Sequence, residues 1–412
     1  MGLGLIVTIW LARRFGPETF GTWNYAMAFA ALFGAFASLG LDSVVVRELI
    51  RDEPNAGAIL GTAAALRLGG GILALIGSVL AISWSRSGQW LPILLVTLNA
   101  AAFVFQSSQV VDYHFQARMH SRPAVVAVNA AFLITSVGRL ALLAVKAPIE
   151  WFGVLLVAEA AIAAALLVTA YRADVAARQR WRFDKRVARA LMAQSWPLLL
   201  SGLAVMVYMR LDQVMLASLA GDKAVGQFSA ALRIAEVWYF IPMAIVTAAF
   251  PVMMKKKAEG RDTYERYLQR LYDGMAWLGI GVAIATTLSA PWILPLLYGS
   301  EFSQTPAILA VQIWAGVAVA MSFVHGKWLL SEGLQNYGLI YTLAGACVNI
   351  ALNIILIPRL GAIGAAWATL ATQIGLLPIQ LIFPKARRNF LLMMLTLTAP
   401  YRVFRSLRVA NS

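Results

Sequence analysis

Eight ionisable residues interrupt long apolar runs: Arg67, Arg139, Arg210, Arg233, Lys327, Glu159, Asp212 and Glu236. An ionisable group at bilayer depth costs at least about 2.5–3.5 kcal/mol on insertion scales, so it normally faces a partner or a wet cavity. At about 1.5 Å of rise per residue, Arg139 and Glu159 fall within about one turn of each other on consecutive antiparallel spans. Arg233 has two candidate acids, Asp212 on the preceding span and Glu236 three residues on along its own helix face. Lys327 sits near the inner end of its run, within reach of the interface. Arg67 and Arg210 have no obvious acid, and one lies in each half of the chain. If the halves face a shared cavity, these two are placed to hold an anion, and a guanidinium suits phosphate through forked hydrogen bonds. The competing reading is that they hydrogen-bond backbone carbonyls across helices.

Catalysis finds no support at this level. His114, His120 and His325 lack metal-ligand spacing and a Ser or Cys partner, and no glycine-Lys phosphate loop is present. We therefore expect no metal, no cofactor and no enzyme activity.

The elements that must position these charges are membrane spans. The 412 residues are 60% hydrophobic and 13% charged, with mean hydropathy +0.73, well above the apolar share of about 45–50% in soluble domains. A bilayer core needs about 20 apolar residues per helix, and such runs predict about twelve spans. They are Met1–Ala12, too short to cross and read as a truncated helix, then about 22–39, 58–82, 91–111, 123–145 and 151–171, a seventh that starts at Trp196, an eighth that follows a Gly-Asp-Lys turn and ends at Met254, and about 275–297, 307–330, 339–357 and 363–383. The expected division is an N-terminal lobe at 1–171, a basic linker at 172–194, a C-terminal lobe at 195–384 and a basic tail at 385–412, whose Leu391–Leu397 run is expected to lie at the interface. Pro197, Pro242, Pro291 and Pro295 fall inside spans, where they can bend helices.

The formal charge of +15 does not imply nucleic acid, because the charges follow the positive-inside pattern. Alternate loops plus the tail hold 23 of the 34 Lys and Arg, the opposite loops hold six, and five lie within spans. Both termini are expected to be cytoplasmic, with the basic loops against anionic lipid. Lone Cys347 lies in an apolar run and reveals nothing about redox compartment.

The halves echo each other. Leu11, Ala12, Gly16, Gly21 and Ala26 recur as Leu216, Ala217, Gly221, Gly226 and Ala231, each displaced by 205 positions, which points to internal duplication. In the same stretches, LARRFGPETFGTWNYAMAFAALFGAFASLGLDSVVVREL (Leu11 to Leu49), RLDQVMLASLAGDKAVGQFSAALRI, LLYGSEFSQTPAILAVQIWA and NIALNIILIPRLGAIGAAWATLATQ, the chain resembles the Wzx-type polysaccharide-export flippases. These belong to the multidrug/oligosaccharidyl-lipid/polysaccharide exporter superfamily. The resemblance implies an all-α integral membrane fold of two six-helix lobes in an inverted V around a central cavity. It also implies an undecaprenyl-diphosphate-linked oligosaccharide as cargo, moved from the cytoplasmic to the periplasmic leaflet of a bacterial inner membrane for O-antigen, capsule or exopolysaccharide synthesis, with a polysaccharide polymerase as a further partner. Family interiors are cationic, and the matching positions here are Arg67 and Arg210, helped by Arg139, Arg233 or Lys327. Glu159, Asp212 and Glu236 are the carboxylates that would sense a coupling proton or sodium gradient. Two other readings stay open: a multidrug or cation antiporter, which the excess of embedded bases over acids disfavours, and a non-transporting scaffold for polysaccharide enzymes.

Overall fold

The computed structural model describes residues 2–174 and 179–396, and the chain divides into two compact units, Met1–Ala217 and Ser218–Ser412. Among the described residues every regular element is helical. Arg178, Arg402, Arg405 and Arg408, which the sequence places in the linker and tail, lie outside the described residues, as does Leu397.

The first unit holds α1 (Gly2–Ser38), α2 (Asp42–Arg51), α3 (Ala56–Ser85), α4 (Trp90–Phe105), α5 (Val110–Ala117), α6 (Arg122–Ala144), α7 (Glu150–Ala173) and most of α8 (Lys185–Ala220). Helix α3 packs on α1 and α4, α4 also on α7, and α6 on α7. The linker is not a free tether. Arg182 N–H donates to Gly57 O at 3.2 Å, and the Gln179 side chain accepts from Gly57 N at 2.7 Å. This crossing needs the absence of side chains on α3: a Cβ at Gly57 or Gly61 would stand 2.6 Å from linker backbone. Helix α8 starts at Lys185, well before the apolar run that signalled it.

The second unit contains α9 (Asp222–Val237), α10 (Phe240–Glu259), α11 (Arg261–Tyr298), α12 (Thr305–Ser331), α13 (Gln335–Leu360), α14 (Ala362–Gly375) and α15 (Arg387–Leu395). Helix α12 packs on α11, α9 and α14, and α13 packs on α14. The expected single span ending at Met254 is broken at Trp238–Tyr239, which places Pro242 in the first turn of α10, where a missing N–H costs nothing. The Trp238 ring lies against Gly316 of α12, where a Cβ would be 2.6 Å from it. The basic interval 255–270, read from sequence as a loop, is instead the end of α10 and the start of α11, separated by Gly260. The tail run expected at the interface forms α15 and packs on α11, burying Asn389 and Met393.

Eleven described segments are long and apolar enough to cross a membrane. The first, Gly2–Arg51, is interrupted at Gly16 (φ 71°), and the expected short first helix, Met1–Ala12, lies on the shorter side of that break. Its counterpart at the 205-residue offset, Gly221, has nearly the same backbone (φ 84°, ψ 169° against φ 71°, ψ 172°). Such a positive φ favours glycine, so the duplication extends to backbone conformation at the inter-helix turn. Packing uses small residues: Ala12, Ala26, Ala63, Ala100 and Ala365 are buried, while Leu73, Leu80, Val137, Trp292 and Leu296 are exposed. That inversion fits a lipid solvent, where helices associate by close contact and large apolar groups gain nothing by hiding.

Candidate functional site

Two chain breaks in the first unit converge on Arg67 of α3. Between α1 and α2, Leu39 and Gly40 take positive φ (53° and 65°), and a Cβ on Gly40 would lie 2.6 Å from Leu199 N of α8, so the turn is tight and needs glycine. It delivers Asp42 to the start of α2. Between α4 and α5 the helix tightens into a 3-10 turn, Gln106–Gln109, which delivers Gln109 and then Tyr113. On α3, Arg67 is 1% exposed. Its Nη1 donates to Asp42 Oδ1 at 2.9 Å and to the Tyr113 hydroxyl, and its Nη2 donates to Gln109 Oε1 at 2.9 Å. The Tyr113 hydroxyl also bonds Asp42, while Arg67 Nε is buried without a partner. Leu41, Val44, Val45 and Leu49 of α2 and Val110 of α5 join Ile59, Leu60 and Ala63 of α3 in one apolar cluster that holds these elements together. The expectation that Arg67 has no acid is therefore corrected. Its partner is Asp42, 25 positions away, brought in by a turn that depth counting along straight spans does not represent.

Beside the Arg67 network lies an open pocket of about 610 Å³ lined by Asp42, Ser43, Val46, Arg47, Ile50, Arg51, Tyr113 and Gln116. Asp42 and Tyr113 belong to both, so the buried Arg67 network forms part of the cavity wall. Arg47 and Arg51 lie one turn apart on the exposed face of α2. Arg47 donates to Gln194 of α8 and stands 4.0 Å from Glu48. In the sequence Asp42, Arg47 and Arg51 follow the second predicted span; the signal for a site there is the four-residue spacing of Arg47 and Arg51, which sets them on one side of α2.

Arg139 and Glu159 meet as anticipated, 2.5 Å apart between α6 and α7, and Thr135 Oγ1 donates to the same carboxylate oxygen at 2.9 Å. The Lys327 ammonium lies 5.2 Å from the Phe250 ring centroid, half-buried, in a cation–π arrangement. Arg233 and Glu236 are half-buried on α9, and Arg233 is within electrostatic reach of the buried Tyr298 hydroxyl. Arg210 and Asp212 are half-buried on α8, and Asp212 is engaged within the protein. Within the first unit, Arg67 and Arg139 each hold a separate carboxylate, Asp42 and Glu159.

The histidines serve local packing. His114 contacts Asp174 at 3.0 Å and stacks edge-on with Tyr171. His325 lies in a polar network of the second unit, where Asn389 of α15 bridges His325 (3.0 Å) and Gln380 (3.1 Å) and accepts from Tyr272 (3.0 Å). Outside the spans, the ion pair of Arg388 with Glu265 (2.5 Å) raises the guanidinium above its ordinary pKa. Among the described residues no group of three or more His, Cys, Asp or Glu could hold a metal.

Helix lengths, lipid-type packing and compensated charges inside the spans define a multi-pass α-helical membrane protein. The fold is that of two solved transporters. Lipid II flippase MurJ in an inward closed conformation matches with TM-score 0.73 and 14% identity, over 98% of this chain and 90% of that one. An inward-facing multidrug resistance MATE family transporter of the MOP superfamily matches with TM-score 0.73 and 16% identity, over 95% of this chain and 94% of that one. The polysaccharide biosynthesis protein family matches residues 1–257, more than half of the sequence, and the chain belongs to that family. The MatE family matches residues 197–355. A Shigella dysenteriae protein named "Putative O-antigen transporter" is 26% identical over 186 residues, 44% of this chain and 46% of that protein. The probable flippase AglR of Haloferax volcanii is 27% identical over 205 residues, 45% of this chain and 40% of that protein. In both comparisons the chain spans less than half the length of the relative.

Proposed function

We propose that the protein is a flippase that moves undecaprenyl-diphosphate-linked oligosaccharide repeat units from the cytoplasmic to the periplasmic leaflet of a bacterial inner membrane by alternating access. Both termini are cytoplasmic in this reading, and a polymerase consumes the translocated unit. The observation that carries it is membership of the polysaccharide biosynthesis family over residues 1–257, the region that holds the arginine-bordered cavity. A diphosphate carries negative charge that must be compensated at membrane depth, and the spans carry five bases against three acids. Among those bases, Arg210 and Arg233 are half-buried and remain candidates for direct contact, with Lys327 beside Phe250. Arg67 and Arg139 already hold carboxylates and act by fixing local geometry. For gradient sensing the deep acids are Glu159, which is paired with Arg139 and Thr135, Asp212 and Glu236.

The MatE match over residues 197–355 favours a second reading, export of organic cations. Purified protein in neutral-lipid nanodiscs separates the two: binding of an isoprenyl diphosphate supports the first, and binding of organic cations with none of the diphosphate overturns it. In a flippase-null cell, the expected result is restored surface polysaccharide. A scaffold would instead restore it equally when Arg210 and Arg233 are replaced by Ala at normal membrane levels.

A further inference from the structure

We infer that Arg47 and Arg51 are the residues that grip the cargo's phosphates in the first unit, and that Arg67 is a positioning residue beneath them. The inference rests on the lipid-diphosphate reading above and names the recognising groups for it. Arg67 is poorly placed to be a ligand. It is 1% exposed, its Nη1 and Nη2 are taken by Asp42, Tyr113 and Gln109, and its Nε is sealed away from solvent. An anion could reach it only by displacing Asp42, at the cost of stripping a buried ion pair.

Arg47 and Arg51 have the opposite character. Both line the cavity, both are exposed, and Arg47 keeps 64% of its side-chain surface accessible. Their spacing of four residues puts the two guanidinium groups on one face, about 6 Å apart along the axis, a separation that long side chains close around neighbouring phosphates. A guanidinium has five donors, and at Arg47 Gln194 takes one, so most of the fork remains for a ligand. Of the acids nearby, Asp42 is matched by Arg67, and Glu48 offsets part of the Arg47 charge from 4.0 Å, so the two arginines keep a net positive charge toward the pocket. Ser43 and Gln116 add polar groups, and Val46 and Ile50 add an apolar flank. Two forked cations beside an apolar wall suit a phosphorylated amphiphile. The opposite face of α2, Val44, Val45 and Leu49, is clamped into the apolar cluster, so the two arginines are presented by a fixed helix. Arg67 contributes by holding Asp42 at the head of that helix and Tyr113 in the cavity wall.

The chemistry is shared by an isoprenyl diphosphate and by an anionic phospholipid headgroup, and the test separates them. Farnesyl diphosphate binding is measured in neutral-lipid nanodiscs at several salt concentrations, with inorganic pyrophosphate and phosphatidylglycerol as competitors. Arg47→Gln and Arg51→Gln are each expected to weaken binding by about tenfold or more, as for loss of a charge-assisted hydrogen bond, and to flatten its salt dependence. Arg67→Gln is expected to weaken binding while leaving the salt dependence as in the wild type, with partial rescue by Arg67→Lys. Pyrophosphate should compete and phosphatidylglycerol should not. Wild-type binding with an unchanged affinity in the Arg47→Gln/Arg51→Gln double variant overturns this inference and leaves the proposed function standing. No wild-type binding overturns both. Equal competition by phosphatidylglycerol overturns it in favour of a general lipid contact.

Discussion

Replacing Asp42 by Ala should expose how strongly the cavity wall depends on one ion pair. Asp42 is the carboxylate bonded to Arg67, and Arg67 is 1% exposed, so its charge would be left with the neutral Tyr113 and Gln109. Removing one partner of a fully buried pair costs about 3–5 kcal/mol. Here the Asp42 side chain is 60% exposed, so water can enter where the carboxylate stood and screen part of the loss. The appropriate scale is that of a hydrogen bond to a charged group, about 1.5–3 kcal/mol. The assay is reversible unfolding in mixed micelles for Asp42→Ala, Arg67→Leu and the double variant. Because an apolar replacement of both members leaves no stranded charge, the double variant should be more stable than Asp42→Ala alone, with a coupling energy of about 1.5 kcal/mol or more. If the two losses add within about 0.5 kcal/mol, Arg67 does not depend on Asp42 and the argument for a positioning role fails.

Two further outcomes follow from the packing. Arg139→Leu should strand Glu159 between α6 and α7 and lower membrane-inserted yield, with Arg139→Leu/Glu159→Gln recovering much of it; immunoblots of membrane fractions check this. In the second unit, Gly316→Ala should destabilise by about 1–3 kcal/mol, because the new methyl would meet the Trp238 ring at 2.6 Å, and Trp238→Phe should relieve part of that cost in the same unfolding assay.

Much of the fold was legible because a bilayer makes simple demands. Apolar run length located the spans, and glycine at a fixed offset located turns whose positive φ few other residues adopt, as Gly16 and Gly221 demonstrate. The Arg139–Glu159 pair could be reached by counting depth, since α6 and α7 are consecutive and uninterrupted. Arg67 escaped the same reasoning. Its partners come from the two places where helices break, at Leu39–Gly40 and at Gln106–Gln109, and neither break interrupts the apolar pattern enough to be seen. The break at Trp238–Tyr239 was hidden for the same reason, its apolar residues reading equally well as continuous helix.

By itself, then, the sequence determined the solvent this chain folds in, an all-helical plan of eleven to twelve membrane-competent segments and the recurrence of glycine at the inter-helix turns, because each depends on composition and spacing along the chain. Only the tertiary structure decided which cation is sealed and which is offered to a cavity. That outcome depends on side chains 25 to 46 positions apart meeting at one guanidinium, where hydrogen-bond geometry, and not hydropathy, selects the partner.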